Sequence, residues 1–180
     1  MKKTTLISSI AFAFIMLLSF NALAQKFPKL DKSPLDASIY RAEKNGPALI
    51  KVIYSRPFLK GRSLSQLAPN GKVWRTGANE AAEITLYKDM KIGGKKVKAG
   101  TYSLFTIPGD KEWIIILSSD LNVWGAYSYK EAHDVVRVNA PVTSGDESVE
   151  NFSIKFKKTA NGTDMYMGWG TLRVAVPFTK

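Results

Sequence analysis

From Asp36 onward, apolar and polar residues alternate with a period of two, and clusters of Gly, Pro, Asn and Asp interrupt them at short intervals. That pattern predicts half-buried strands joined by tight turns. Ser38–Arg41 and Ala48–Tyr54 flank Lys44-Asn45-Gly46-Pro47, and Asn-Gly is a strong hairpin signal. Ile84–Lys88 precedes a short strand at Met90–Ile92, which Gly93-Gly94 turns back into Lys95–Lys98. Thr101–Ile107 and Glu112–Ser118 flank Pro108-Gly109-Asp110. Phe152, Ile154 and Phe156 alternate with polar residues, Asn161-Gly162 turns the chain toward Met165–Trp169, and Leu172, Val174, Val176 and Phe178 line the last strand. Trp113–Leu117 is apolar without alternation, as in a strand covered on both faces. The best helix candidate is Leu64–Ala68, which Pro69 ends. Many short strands with hairpin turns predict an all-β chain: a single-domain antiparallel β-sandwich over residues 36–180, with a jelly roll as one form of it.

The N-terminus reads differently. Lys2 and Lys3 precede an apolar run from Leu6 to Phe20, and Ala22-Leu23-Ala24 supplies the small-x-small pattern of signal peptidase. The run is shorter than the roughly 20 residues a bilayer requires, so residues 1–24 read as a secretory signal peptide cleaved after Ala24. Residues 25–35, with three lysines and two prolines, read as a loosely held arm. The expected location is the periplasm or cell exterior, with no transmembrane span after cleavage.

Among 180 residues, 45% are hydrophobic and 23% charged, enough apolar material for a core without disulfides. The chain has no cysteine and one histidine. Those counts exclude thiol catalysis, disulfide frameworks, iron–sulfur clusters and zinc sites built from several Cys or His ligands. The formal charge is +11, which cleavage would lower by two. The lysines are scattered, and several flank hairpin turns, where they also protect strand edges. With export, this predicts no nucleic-acid partner but contact with acidic polysaccharide or other anionic envelope surfaces.

Three stretches carry a familiar pattern: Tyr54-Ser55-Arg56-Pro57 with Lys60-Gly61-Arg62, the run from Gly71 to Glu80 (GKVWRTGANE), and Ala99–Gly109 (AGTYSLFTIPG) followed by Trp113. Trp124-Gly125 and Asp134–Val138 extend it. On these residues the chain resembles the domain-of-unknown-function family 2911, exported proteins of Bacteroidetes-type bacteria. The resemblance is strong from Ile39 to Val138 and weaker over the last forty residues. It departs at Ser63-Leu64-Ser65 and Asn70, in the loop before Gly71. What it implies is export; it brings no activity and no catalytic residues.

The densest polar cluster is Arg75-Thr76-Gly77-Ala78-Asn79-Glu80. Arg75 offers a planar fork for a carboxylate or phosphate, with Asn79 and Glu80 adding an amide and an acceptor or base. Alternatively, Arg75 and Glu80 can pair with each other or with Arg56 and close a loop. Arg56 and Arg62 can join Arg75 in an anion-binding corner, or lay their stems over Trp74. Trp74, Tyr102, Trp113, Trp124, Tyr127, Tyr129 and Trp169 can line a sugar-stacking groove or pack a core; Trp124 sits in the most loop-like context. Glu131, His133 and Asp134 suit a surface loop better than a metal site. No nucleophile elbow, zinc-protease helix, phosphate loop or dinucleotide motif is present, so no cofactor is expected.

These readings favour a binding module for a small anionic or carbohydrate ligand, with Arg56, Arg62, Trp74, Arg75, Asn79, Glu80 and Trp124 as candidate contacts. Two alternatives are a hydrolase using Glu80 or His133 with arginine assistance, and a structural or protein-interaction domain of the envelope.

Overall fold

Alternation of apolar residues sets the strands, and left-handed turn residues set where they reverse. Leu35–Arg41 (β1) and Ala48–Ser55 (β2) form an antiparallel hairpin whose turn places Asn45 at φ 65°. Along β2, Ile50, Val52 and Tyr54 point inward while Lys51 and Ile53 point out. Ala82–Leu86 (β3) repeats that pattern with Ala82, Ile84 and Leu86. Met90–Ile92 (β4) and Lys95–Val97 (β5) turn at Gly93 and Gly94, both at positive φ (54° and 84°), as a two-residue hairpin demands. Gly100–Ile107 (β6), Glu112–Ser118 (β7), Asp134–Thr159 (β8) and Gly162–Thr179 (β9) complete the set. The computed structural model describes residues 25–180; the expected signal peptide, residues 1–24, lies outside the described residues. Residues 25–34 contain no helix or strand.

The nine strands form one antiparallel sheet in the order β1-β2-β3-β6-β7-β8-β9-β4-β5. Neighbours in space are mostly neighbours in sequence, so the path is a meander. The exception is the β4–β5 hairpin, which leaves β3 and pairs with the end of β9 through Lys91↔Thr179 and Ile92↔Phe178. The sheet bends at β8. Its first part, to Pro141, pairs with β7, and from Val142 it pairs with β9. Two leaves thereby face each other across one core, which joins Ile50, Val52, Ile84, Leu104 and Leu117 to Phe152, Met167, Trp169 and Val176.

The sequence reading resumes strand alternation only at Phe152, whereas β8 starts at Asp134 and runs through the polar stretch Thr143–Asn151. Backbone pairing, not side-chain pattern, makes that stretch a strand: Thr143, Ser144 and Val149 pair with β9, and Asn151 bridges to Phe58. Its irregular register between Ser144 and Ser153 is tied by Arg173, which donates to the carbonyls of Glu147 (2.6 Å), Gly170 and Leu172 (both 2.8 Å).

The centre of the core is aromatic. Trp74 stacks on Trp169 with centroids 5.5 Å apart and planes 14° apart, and meets Phe152 and Trp113 edge-on at 5.0 and 5.9 Å. Trp74 itself belongs to a loop, held by reciprocal backbone bonds to Thr106 of 2.7 and 2.9 Å. Tyr54 links the leaves, its hydroxyl accepting from the Ile154 N–H at 2.8 Å. On the outer face of β6 and β7, Ala81, Phe105 and Ile116 form a second cluster under Val123, Ala126 and Tyr129. The unalternated run Trp113–Leu117 is therefore covered on both sides, as its composition predicts. A one-turn helix at Leu64–Leu67 ends before Pro69.

Removing the stacked indole would leave a cavity between two leaves that cannot close on it. Trp74→Ala is expected to cost about 3–5 kcal/mol, read as a lowered urea midpoint with unchanged slope.

Candidate functional site

The run Arg75–Glu80 is shaped by its neighbours on either side. Burial of Trp74 turns the next side chain, Arg75, away from the core. Thr76 then sits at φ 54°, a left-handed conformation that a β-branched residue rarely adopts. Packing over-determines it: Thr76 is fully buried, and its hydroxyl donates to Thr106 Oγ1 at 3.2 Å. Gly77 passes so close to β2 that a Cβ there would lie 2.9 Å from the Ser55 carbonyl oxygen. Asn79 is left-handed too, at φ 61°.

Over this run lies the segment 119–133, a strap across the outer face of the sheet. Glu80 and Trp124 form a β-bridge, Ala81 N–H donates to Val123 O (3.0 Å), and Gly125 N–H donates to Asn79 O (3.1 Å). Arg75, Asn79, Glu80 and Trp124 are thus brought together. Trp124 is 58% exposed and Tyr127 85%. The Tyr127 ring and the Arg75 guanidinium converge on Gly125, where a Cβ would lie 2.7 Å from the ring and 3.2 Å from Nη1.

Arg75 is half-buried and poorly partnered. Nη1 makes one long bond, 3.4 Å to the Asn79 carbonyl, and Nε is buried with no acceptor. Among the described residues no carboxylate lies within ion-pair distance of it, so the expected pairing of Arg75 with Glu80 does not form. Glu80 instead lines a cleft of about 280 Å³ beside Glu83, over Ile53, Ala81 and Val123. The Asn79 amide stands by Asp31, whose carboxyl is held below its ordinary value by the Ser33 N–H first and Asn79 second.

The other three candidates lie elsewhere. Trp74 is 7% exposed and packs in the core. Arg56 is fully engaged, donating to Asp36 Oδ2 (2.9 Å), the Phe152 carbonyl (3.1 Å) and Ser153 Oγ (2.7 Å). It rivets β1 and β2 to β8. Arg62 folds back on its own loop, donating to the carbonyls of Leu59 and Phe58. The three arginines do not form one corner, because Arg56 is bound to β1 and β8 and Arg62 to the carbonyls of its own loop.

Sequence reasoning missed a pair at the base of the strap. His133 Nδ1 lies 2.7 and 2.8 Å from the two oxygens of Asp120, thirteen residues away. This holds the imidazole by Nδ1 and leaves Nε2 without a partner among the described residues. The hydroxyl groups of Ser118 and Ser119 bond the His133 carbonyl, not its ring. Nearby, Glu131 and Asp134, grouped with His133 in the sequence reading, both bind Arg137 instead. Tyr129 donates to Asp134 Oδ2 at 2.7 Å. Burial first, then the Asp134 acceptor, push the Tyr129 phenol well above its ordinary range, so it remains a donor.

Two outcomes test this arrangement. Asp36→Ala, which removes one half-exposed ion pair, is expected to cost about 0–1 kcal/mol in urea denaturation. Arg56→Ala also strips donors from Phe152 and Ser153 and is expected to cost about 1–3 kcal/mol. Equal losses would contradict the rivet. Separately, burial raises the Asp134 pKa above the ordinary 3.8 despite Tyr129 and Arg137. The folded state then binds that proton more tightly than the unfolded state, so this contribution is present below 3.8 and is lost as pH rises through the elevated folded value. Stability of the native protein relative to Asp134→Asn should fall across that window and level off above it; a rise would reverse the assignment.

The chain matches the family described as Protein of unknown function (DUF2911) over residues 34–178, as the motif resemblance predicts. No curated protein and no solved structure matches it. Nearly the whole described chain is spanned by that match, and on this ground the protein belongs to the DUF2911 family.

Proposed function

We propose that the protein is an exported binding module for a small anionic ligand, with an acidic saccharide as the class that uses every feature of the site. The observation that carries the reading is Arg75: a half-buried guanidinium without a carboxylate, set beneath an aromatic strap. Charged side chains away from water are normally paired, so an unpaired fork with a buried N–H suits a visiting carboxylate or phosphate. Trp124 and Tyr127 supply exposed ring faces against which a sugar can stack, and Glu80 adds an acceptor for hydroxyl groups. Strain at Thr76 and Asn79 fixes the loop in advance, which reduces the ordering cost of binding. The N-terminal sequence pattern supports export to the periplasm or cell exterior.

Trp124 is the exposed tryptophan; Trp74, Trp113 and Trp169 are buried. Acrylamide quenching of tryptophan fluorescence therefore reports on the site directly. Uronic-acid oligosaccharides are expected to protect the fluorescence saturably, and Arg75→Ala to weaken that protection by roughly tenfold or more, as loss of a charge-assisted contact does. Neutral saccharides that protect equally, or protection unchanged in Arg75→Ala, would overturn the assignment.

One observation favours the hydrolase alternative: the Asp120–His133 pair, in which the carboxylate orients the imidazole as in a general base. No hydroxyl group among the described residues bonds Nε2, so the base would act on water. Ester or glycoside turnover that disappears in His133→Ala, with an unchanged melting temperature, would establish this reading over simple binding.

A further inference from the structure

The sheet has two ends of different chemistry. Register places Ser55, Ala82 and Leu104 toward the Arg75 end, and Tyr40, Ile50, Leu86 and Gly100 toward the other. At that far end, the excursion of β4 and β5 to the edge of β9 leaves a cleft of about 620 Å³ between the leaves. The core residues Tyr40, Ile50 and Phe178 close its base, Leu49 and Met90 are half-buried beside them, and Thr159, Asn161, Thr163 and Thr179 complete the walls. Its rim is cationic. Lys91, Lys158 and Lys180 border it, with Glu43 as the acidic group among its lining residues. Lys158 reaches the Ala42 carbonyl (3.0 Å) and Glu43 (3.5 Å). Lys91 and Lys180 have no acidic partner among the described residues. A second, smaller cleft shares Met90, Lys91 and Lys180 and adds Lys96 and Lys98, the latter paired with Asp89 at 2.8 Å.

Apolar side chains beside two lysines without acidic partners, with a third lysine bonded to Glu43, fit neither a purely polar ion nor a neutral hydrocarbon. We infer that this cleft seats a single-chain amphipathic anion, a long-chain carboxylate free in solution, with its chain over Leu49 and Met90 and its head among Lys91, Lys158 and Lys180. The cleft volume falls in the range of about 300–1,000 Å³ in which proteins hold small ligands, with mostly apolar walls and a few polar groups. Long lysine stems let the ammonium groups follow the head while covering apolar surface. The concave shape favours one inserted molecule over contact with a flat bilayer. This site is independent of Arg75 and stands or falls separately.

The test is calorimetric titration of the purified protein with dodecanoate below its micellar concentration, with dodecyltrimethylammonium as the cationic counterpart. Saturable one-to-one uptake of dodecanoate is expected, with little uptake of the cation. Reversing exposed charges in Lys91→Glu/Lys180→Glu should weaken binding by about tenfold or more, because like charges then meet the head. Met90→Glu should abolish binding, while Arg75→Ala should leave it intact. Absence of binding, equal binding of the cation, or unchanged affinity in the charge-reversed variant would overturn the inference. So would attachment to phosphatidylglycerol vesicles without uptake of dodecanoate, since the lysines would then serve a membrane surface.

Discussion

Insertion of one loop side chain between two leaves of a sheet organises this protein. Trp74 lies outside every strand, yet its indole stacks on Trp169 and touches Trp113 and Phe152 at the centre of the core. Because that ring must go in, the backbone on either side is constrained. Reciprocal bonds to Thr106 hold residue 74 in an isolated bridge, and the chain then has to climb over the end of β2 to enter β3 at Ala82. The climb uses left-handed residues at Thr76 and Asn79 and the missing Cβ of Gly77. Arg75 faces outward as a consequence, and its isolation from carboxylates follows from the core rather than from any local preference.

Arg56 and Arg75 show how differently two motif arginines can end. Arg56 leaves β2 where the chain crosses toward β8, so carbonyl and hydroxyl acceptors surround it, and Asp36 completes the set. Each of its three nitrogens donates, and the side chain acts as a joint between leaves. Arg75 emerges under the strap, and its one backbone acceptor, the Asn79 carbonyl of its own loop, is 3.4 Å away. A guanidinium that gives up water and gains so little in return carries a desolvation cost that an anionic ligand would offset. The two arginines thus end with opposite degrees of pairing, one bonded between the leaves and one without a carboxylate.

The strap ties the outer face together. Its ends are fastened by Asp120 to His133 and by Tyr129 to Asp134, and its middle buries Val123 and Ala126 on Phe105 and Ile116. With both ends anchored, Trp124 and Tyr127 are exposed without being loose extensions. At the far end of the sheet the β4–β5 hairpin plays a comparable part, since its excursion to β9 opens the lysine-rimmed cleft. Among the described residues, no helix is long and apolar enough to cross a membrane.

The sequence by itself determined what depends on neighbours a few residues apart. Alternation along β2, β3 and β9 marks the buried face, Asn45-Gly46, Gly93-Gly94 and Asn161-Gly162 mark reversals, and the unbroken run in β7 marks a strand covered twice. Those signals are local because side-chain direction in a strand and positive φ at a turn are local properties. The strand character of Thr143–Asn151 was not legible, since it comes from pairing with β9 and with the loop at Phe58 against a polar composition. Nor was the fate of each arginine. Asp36 and Ser153 lie 20 and 97 residues from Arg56, and Asp120 lies 13 from His133. Composition could say that Arg75 and Glu80 were able to pair; only the tertiary fold, by burying Trp74 and laying the strap across Asn79, decided that they do not.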